Sequence, residues 1–327
     1  MSTATVSDTA TVHTLRGPVP VGELGRVLCH EHIFVLSPEI MQNYPDEWGD
    51  EDARVADAVH RLQELKRSGI DTIIDPTAIG LGRYIPRIAR IAQQVDLHII
   101  AATGLYTFNE LPHYYANRPI EAMVDHFSRD VTEGIADTGL CAGIFKCATD
   151  RPGVTKHVEK VLRAVARAHR RTGVPITTHT HAASKRGLDQ QQIFREEGVD
   201  LSRVIIGHSG DTDDLEYLEQ LLTAGSYLGM DRFGIDGYLN TEQRVAVIAE
   251  LCQRGHAERM MLSHDASCYL DWIPGEADFT QKMPNWHYLH ISHDVLPMLN
   301  DAGVSDADID AMLRANPARL FSVKGGY

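Results

Sequence analysis

Two histidines stand two positions apart in an otherwise apolar run, Val27-Leu28-Cys29-His30-Glu31-His32-Ile33-Phe34-Val35. On a β-strand alternate side chains share a face, so His30 and His32 point the same way. Two imidazoles on one face can hold a metal ion. A pair of hydrogen-bonded core histidines is the other reading, and the segment alone does not separate the two. Groups of matching chemistry close other apolar runs: Lys146 after Ala142–Phe145, His179 after Val174–Thr178, His208 after Val204–Gly207 and Asp265 after Met260–His264. This nitrogen- and oxygen-rich set lacks a thiolate and suits Zn, Mn, Co or Fe.

Lys146 is the odd member. A protonated ammonium is repelled by a divalent cation, whereas a neutral amine reacts with CO2 to give a carbamate. That anion has two oxygens and can bridge two cations, which then share a water that ionises near neutral pH. The competing account of Lys146 is an ion pair with a nearby acid such as Asp150.

The elements that must position these groups follow a repeating rhythm. Short apolar, β-branched runs fall at 27–35, 70–75, 98–103, 141–146, 174–179, 203–208, 225–230 and 259–264. Amphipathic, charge-studded segments follow at about 52–68, 83–94, 119–136, 154–172, 185–197, 212–223, 240–253 and 287–301, with a last helix at about 305–314. Lys66-Arg67-Ser68-Gly69 and Arg170-Arg171-Thr172-Gly173 each place basic residues in a final turn with glycine just beyond, a helix stop. Continuously apolar strands suit a parallel sheet covered on both faces. Eight strand–helix units predict an α/β fold, a single-domain (β/α)8 TIM barrel over 15–327 with residues 1–14 as an N-terminal extension. A doubly wound open sheet remains the alternative. In such barrels the chemistry sits at the carboxyl ends of the strands, which is where the candidate residues fall. The one long irregular stretch, 266–286, has the length of a functional loop.

The chain has 327 residues, with 31 basic and 45 acidic side chains and a net charge of −14. That balance argues against a nucleic acid or an anionic membrane as partner. The five cysteines are scattered and never form a CxxC pair, so neither a disulfide framework nor a zinc knuckle is expected. The first residues have no basic start and no apolar core, and no run is long enough to span a membrane. A cytoplasmic protein is the expectation, and the charge says little about a small-molecule substrate.

With these residues in hand, the chain resembles the phosphotriesterase family of the amidohydrolase superfamily, from about Leu15 to Phe321. The motifs occur in order: His30-Glu31-His32, Ala102-Thr103-Gly104-Leu105-Tyr106, Gly143-Ile144-Phe145-Lys146, Thr178-His179-Thr180-His181, Ile206-Gly207-His208-Ser209-Gly210-Asp211, Met230-Asp231-Arg232-Phe233-Gly234 and Ser263-His264-Asp265. The resemblance implies a binuclear site with zinc as the first expectation. In it His30, His32 and Asp265 hold a buried ion, His179 and His208 hold a more exposed one, and carbamylated Lys146 and a hydroxide bridge them. Asp265 also carries the proton to the leaving group. Tyr106, Arg232 and the pair Asp271-Trp272 are similar to the lactonase branch of the family. There Tyr106 lies beside the metals, while Arg232 and Trp272 shape the substrate pocket. Tyr269, Leu270, Trp272, Ile273 and Phe279 then give the 266–286 loop an apolar channel for an acyl chain. The implied reaction is the opening of lactone rings, N-acyl-homoserine lactones among them, with organophosphate triesters as a side activity, in a homodimer.

The alternatives are a primary phosphotriesterase, a cyclic-amide amidohydrolase and a non-catalytic metal-binding module on the same barrel. A mononuclear deaminase has no use for a bridging lysine. His181, two beyond His179, reads as a neighbour of the site. His287, His290 and His293 recur at helical spacing and read as a partly solvated helix face. His264 reads as packing outward from the barrel axis.

Overall fold

The computed structural model describes residues 10–273, 281–323 and 325–327. Eight parallel strands follow in chain order: β1 (Val27–Leu28), β2 (Thr72–Asp75), β3 (His98–Gly104), β4 (Ile144–Thr149), β5 (Ile176–Thr180), β6 (Val204–Ile206), β7 (Tyr227–Met230) and β8 (Met260–Leu262). Each pairs with its sequence neighbour, from Val27 beside Thr72 to Met230 beside Leu262. Single hydrogen bonds close the seam between first and last strands. Cys29 N donates to Leu262 O at 3.1 Å and Asp265 N donates to His30 O at 3.0 Å. The fold is the TIM barrel that the strand–helix rhythm predicts.

The strands are buried on both faces because side chains of opposite parity enter two cores. Val27, Ile74, Ile100, Ile144, Ile205 and Met261 fill the barrel interior. Their neighbours Leu28, Ile73, Ile99, Phe145, Ile206 and Leu262 pack outward against the helices. A hairpin of Thr11–Thr14 with Gly17–Pro20 and the helix Asn316–Phe321 close the floor, through Val12, Leu320 and Phe321. Capping fixes several helix ends. The Asp50 side chain accepts from Ala53 N, Thr155 accepts from Val158 N, and Asn240 and Gln243 form a reciprocal capping box. Gly173, in the left-handed region at φ 78°, ends Lys156–Thr172 as its sequence position predicts.

The structure corrects several expectations. The run 27–35 is not one strand. Only Val27–Leu28 lies in the barrel ladder, and Phe34–Val35 pairs with Tyr269–Leu270 in a separate small sheet. The link between them is held by single bonds to both neighbours, Glu31 N to Ile74 O and His32 N to Ala266 O. The strand carrying Lys146 starts at Ile144 and runs on to Thr149, so the lysine sits mid-strand. Two short helices, Pro38–Asn43 and Pro45–Trp48, precede Glu51–Arg67. The expected helix 287–301 begins with a wide π-type turn, Ile291–Val295, before Leu296–Asp301. Helix Asp306–Asp310 passes through a second such turn, Ala311–Ala315, and continues beyond 314 to Phe321. Of the 266–286 loop, Phe279 lies outside the described residues. All five cysteines are free. Among the described residues no helix is long and apolar enough to cross a membrane.

Candidate active site

The six predicted ligands converge at the carboxyl end of the barrel. The Asp265 carboxylate is their hub: Oδ1 lies 3.4 Å from His30 Nε2 and 3.3 Å from His32 Nε2, and Oδ2 lies 3.8 Å from His208 Nε2. Lys146 Nζ lies 3.2 Å from His30 Nε2. The rings of His208 and His179 are 4.6 Å apart, and those of His30 and His208 are 4.8 Å apart. His30 and His32 do come together, with ring centroids 5.4 Å apart, although no continuous strand aligns them.

His208 and Asp265 each follow the end of a strand in the left-handed region, at φ 59° and φ 55°. A non-glycine residue there costs on the order of 1–2 kcal/mol, and it persists only where surroundings fix it. His208 N donates to Asp231 Oδ1 at 2.7 Å, and Asp265 N is tied across the seam to His30 O.

A ring of acids orients the imidazoles, and sequence reasoning assigned none of these pairings. Asp231 spans two of them: Oδ2 lies 3.1 Å from His30 Nδ1 and Oδ1 lies 3.0 Å from His208 Nδ1. A carboxylate only accepts, so both Nδ1 atoms carry hydrogen and both Nε2 lone pairs face inward. His32 Nδ1 meets Thr77 Oγ1 at 2.7 Å, and Thr77 donates to Asp75 at 2.5 Å. Asp150 contacts His179 Nε2 at 2.6 Å, so it is not the partner of Lys146. His179 therefore presents Nδ1 to the centre, 3.3 Å from the Tyr106 hydroxyl. Glu31 is fully buried. Its Oε1 accepts from Ser263 Oγ and from the backbone N and Nδ1 of His264, and its Oε2 accepts from Ala266 N. It thereby braces both sides of Asp265. Motif position was the only signal for Glu31 and Asp231; Asp150 stood out only as an acid near Lys146, and nothing local marked Asp75.

The remaining histidines lie elsewhere. His181 bonds Ser184 and Arg151. His290 bonds Thr241 and Asp294. His264 turns to Glu31 and accepts from Ile291 N.

Burial sets the protonation states. It pushes the Lys146 amine down to about 8 and His179 down to about 4, and it lowers His30 and His208 as well. Asp265 stays well below the usual carboxylate range: burial works to raise it, and the interactions with His30, Arg232 and His208, of which only the guanidinium is permanently charged, outweigh that. Burial works to lower His32 too, but Asp265 and Asp75 outweigh it, so His32 alone of the four shifts upward. Neutral imidazoles at His30, His179 and His208, an ionised carboxylate and an amine that deprotonates near neutral pH are states that metal binding needs. The donor set thus fits divalent cations.

Above the cluster lies a cavity of about 220 Å³, lined by Leu81, Tyr106, Arg232, Ile235, Leu270, Trp272, Met283 and Trp286 among others. Tyr106 and Trp272 touch in its wall, with ring centroids 5.9 Å apart and planes tilted by 43°. Trp272 is 46% exposed at its mouth. Arg232 is clamped between acids: Nε donates to Asp265 Oδ2 and Nη1 to Asp211 Oδ2, both at 2.9 Å. A larger cavity of about 710 Å³, between the Pro38–Trp48 helices and Tyr269–Asp271, touches none of the ligand candidates.

A cluster of this chemistry at the mouth of a closed eight-stranded barrel is the arrangement of a metal-dependent hydrolase. The sequence profile of the phosphotriesterase family matches residues 10–321, and the chain belongs to that family. It is 58% identical over 324 residues to a phosphotriesterase homology protein of Mycobacterium tuberculosis, covering 97% of this chain and 99% of that one. It is 38% identical over 301 residues to an aryldialkylphosphatase of Saccharolobus solfataricus, covering 92% and 96%. A solved structure of the phosphotriesterase from Mycobacterium tuberculosis superposes with a TM-score of 0.95 at 58% identity, over 97% of this chain and 100% of that one.

Proposed function

We propose that this phosphotriesterase-family hydrolase opens lactone rings, N-acyl-homoserine lactones among them, and hydrolyses organophosphate triesters as a side activity. His30, His32 and Asp265 would hold one divalent ion, zinc first, and His179 and His208 a second. Lys146, as its carbamate, would lie between the two. Such ions supply an activated water and an electrophile for the ester carbonyl.

The chain's own residues do the rest. The Tyr106 hydroxyl, raised by burial and so kept protonated, is a donor beside His179, placed for the oxyanion that forms as the carbonyl is attacked. Arg232 bonds Asp265 Oδ2 and favours its ionised state, leaving it free to accept the proton of the attacking water. Asp265 then gives that proton to the ring oxygen as the C–O bond breaks. The apolar wall of Leu270, Trp272 and Ile273 takes the acyl chain.

The observation that carries the lactone reading is the small cavity over the cluster, about 220 Å³, walled in part by the touching rings of Tyr106 and Trp272. A lactone is flat about its trigonal carbonyl and bears one arm. A triester carries three arms around a tetrahedral phosphorus and needs a wider pocket. The aryldialkylphosphatase relative supports the second reading, a primary phosphotriesterase. Values of kcat/KM for an acyl-homoserine lactone, an aryl dialkyl phosphate and a cyclic amide, measured on one metal-loaded preparation, decide the matter. Lactone turnover should exceed the other two by at least about tenfold, a difference of about 1.4 kcal/mol in transition-state binding. Faster triester or amide cleavage would reject it. A cytoplasmic homodimer completes the proposal, and light scattering on the purified protein tests the dimer.

A further inference from the structure

Arg244 lies on the helix Thr241–Gln253 and is almost wholly buried. Its guanidinium reaches two separate loops. Nη1 donates to Gly210 O at 2.6 Å and Nη2 to Asp211 Oδ1 at 2.9 Å, both in the segment that follows His208. Nε donates to Leu239 O at 2.9 Å and Nη2 to Ile235 O at 3.1 Å, at the two ends of the turn after Arg232. That turn supplies Ile235 and Tyr238 to the pocket wall, and Tyr238 lies over the Arg232 guanidinium at 5.4 Å. The other oxygen of Asp211 holds Arg232, and Arg232 holds Asp265. An alternating chain of charges, Arg244–Asp211–Arg232–Asp265, therefore runs from an outer helix to the centre of the site.

A buried ion pair is weak as a source of stability, because well-packed apolar residues often serve as well or better. What the charge adds here is direction: every contact of Arg244 fixes a segment that carries a residue of the site. We infer that Arg244 is a positioning residue, which sets the orientation of Arg232 through Asp211. The inference rests on the reading of Arg232 and Asp265 as part of the hydrolytic site.

The test is a double-mutant cycle, with kcat/KM measured on whichever lactone or aryl triester the wild type turns over. Arg244→Met should lower kcat/KM about 30- to 100-fold when Arg232 is present, the size of loss that follows a misplaced catalytic group. In an Arg232→Met background it should cost less than about threefold, because the group it positions is gone. Equal losses in both backgrounds overturn the inference, since a merely structural arginine acts whether or not Arg232 is there. Should Arg244→Met fail to fold, Arg244→Lys keeps the charge but not the fork, and the same non-additive pattern is expected of it. Full activity of Arg244→Lys overturns the inference.

A second readout needs no turnover. In ¹⁵N-edited spectra the Arg232 Nε–H signal, assigned by its loss in Arg232→Met, should exchange slowly with solvent in the wild type and rapidly in the Arg244 variants. Unchanged exchange overturns the positioning role. A wild type that cleaves neither substrate defeats the functional proposal alone, and the exchange measurement still judges Arg244.

Discussion

Asp150 Oδ2 sits 2.6 Å from Nε2 of His179 and decides which nitrogen that histidine offers to the site. Burial works to raise this acid, but the hydrogen bond from His179 outweighs it and holds Asp150 down at about 2. The ring is thereby fixed with Nε2–H outward and Nδ1 inward, the reverse of His30 and His208.

Asp150→Asn replaces an obligate acceptor with a group that can also donate, so the outward nitrogen can take either tautomer. The expected result is loss of about one metal equivalent per chain and a drop of about 10- to 100-fold in kcat/KM, the usual effect of removing a ligand's orienting partner. Elemental analysis beside kinetics checks this. Unchanged metal content would mean that His179 is not a ligand.

Lys146 should take up CO2 only as the neutral amine. With the amine near 8, the neutral fraction falls about tenfold for each pH unit below that value. Metal reconstitution of chelated protein at fixed dissolved CO2 should therefore be faster at about pH 8 than at about pH 6.5, and ¹³C-labelled bicarbonate should give a carbamate signal. Lys146→Ala should lose most metal and activity, with partial rescue by short carboxylates. A lysine that stays unlabelled in the fully metal-loaded enzyme rejects the bridging role.

Glu31→Gln should destabilise the protein by roughly 2–3 kcal/mol, because the amide cannot satisfy all four buried donors that the carboxylate serves. Urea unfolding of metal-free protein isolates the effect from metal binding. A midpoint equal to the wild type's would show that Glu31 does not brace the Ser263–Ala266 turn.

The metal-free protein should lose stability as pH falls from about 6.5 towards 4. His30, His179 and His208 are lowered from 6.5, His179 to about 4, so the unfolded chain binds protons in that window that the folded chain refuses. His32, raised by hydrogen bonds with Asp265 and Asp75 against the effect of burial, opposes the other three. Urea midpoints of chelated protein across that range should decline with acid, and a flat profile counts against neutral, inward-facing imidazoles.

Tyr106→Phe keeps the ring in the cavity wall and removes the hydroxyl. Its expected effect is a fall of about tenfold or more in kcat for lactones with little change in KM, the mark of an interaction made mainly in the transition state. A change in KM alone would make Tyr106 a wall and not a donor.

The barrel could be read from the chain because strands buried on both faces leave a continuous apolar signature, and because helix stops at Gly69 and Gly173 punctuate it. The candidate ligands could be read because imidazoles, an amine and an acid at the ends of such strands have no packing role to explain them. The break after Leu28 could not. Val27–Leu28 and Phe34–Val35 are equally apolar whether their partner is the barrel or Tyr269–Leu270. The pairings of Asp231, Asp150, Asp211 and Arg244 were hidden for a different reason. Each of the four is an ordinary charged residue in its own segment, and its partner lies on another strand or loop. The wide turns at Ile291–Val295 and Ala311–Ala315 likewise leave no mark in a helical periodicity.

The seam between β8 and β1 bears on how the protein comes into being. Asp265 bonds the backbone of His30 there, and the two residues are separated by most of the polypeptide. A nascent chain at about 5–20 residues per second can assemble β1 to β7 and hold five of the six ligand candidates well before Asp265 leaves the ribosome. The hub carboxylate arrives last. Until β8 docks, the growing chain has a cluster of nitrogen donors without its central acid, so the cluster is completed in one late step and not by degrees.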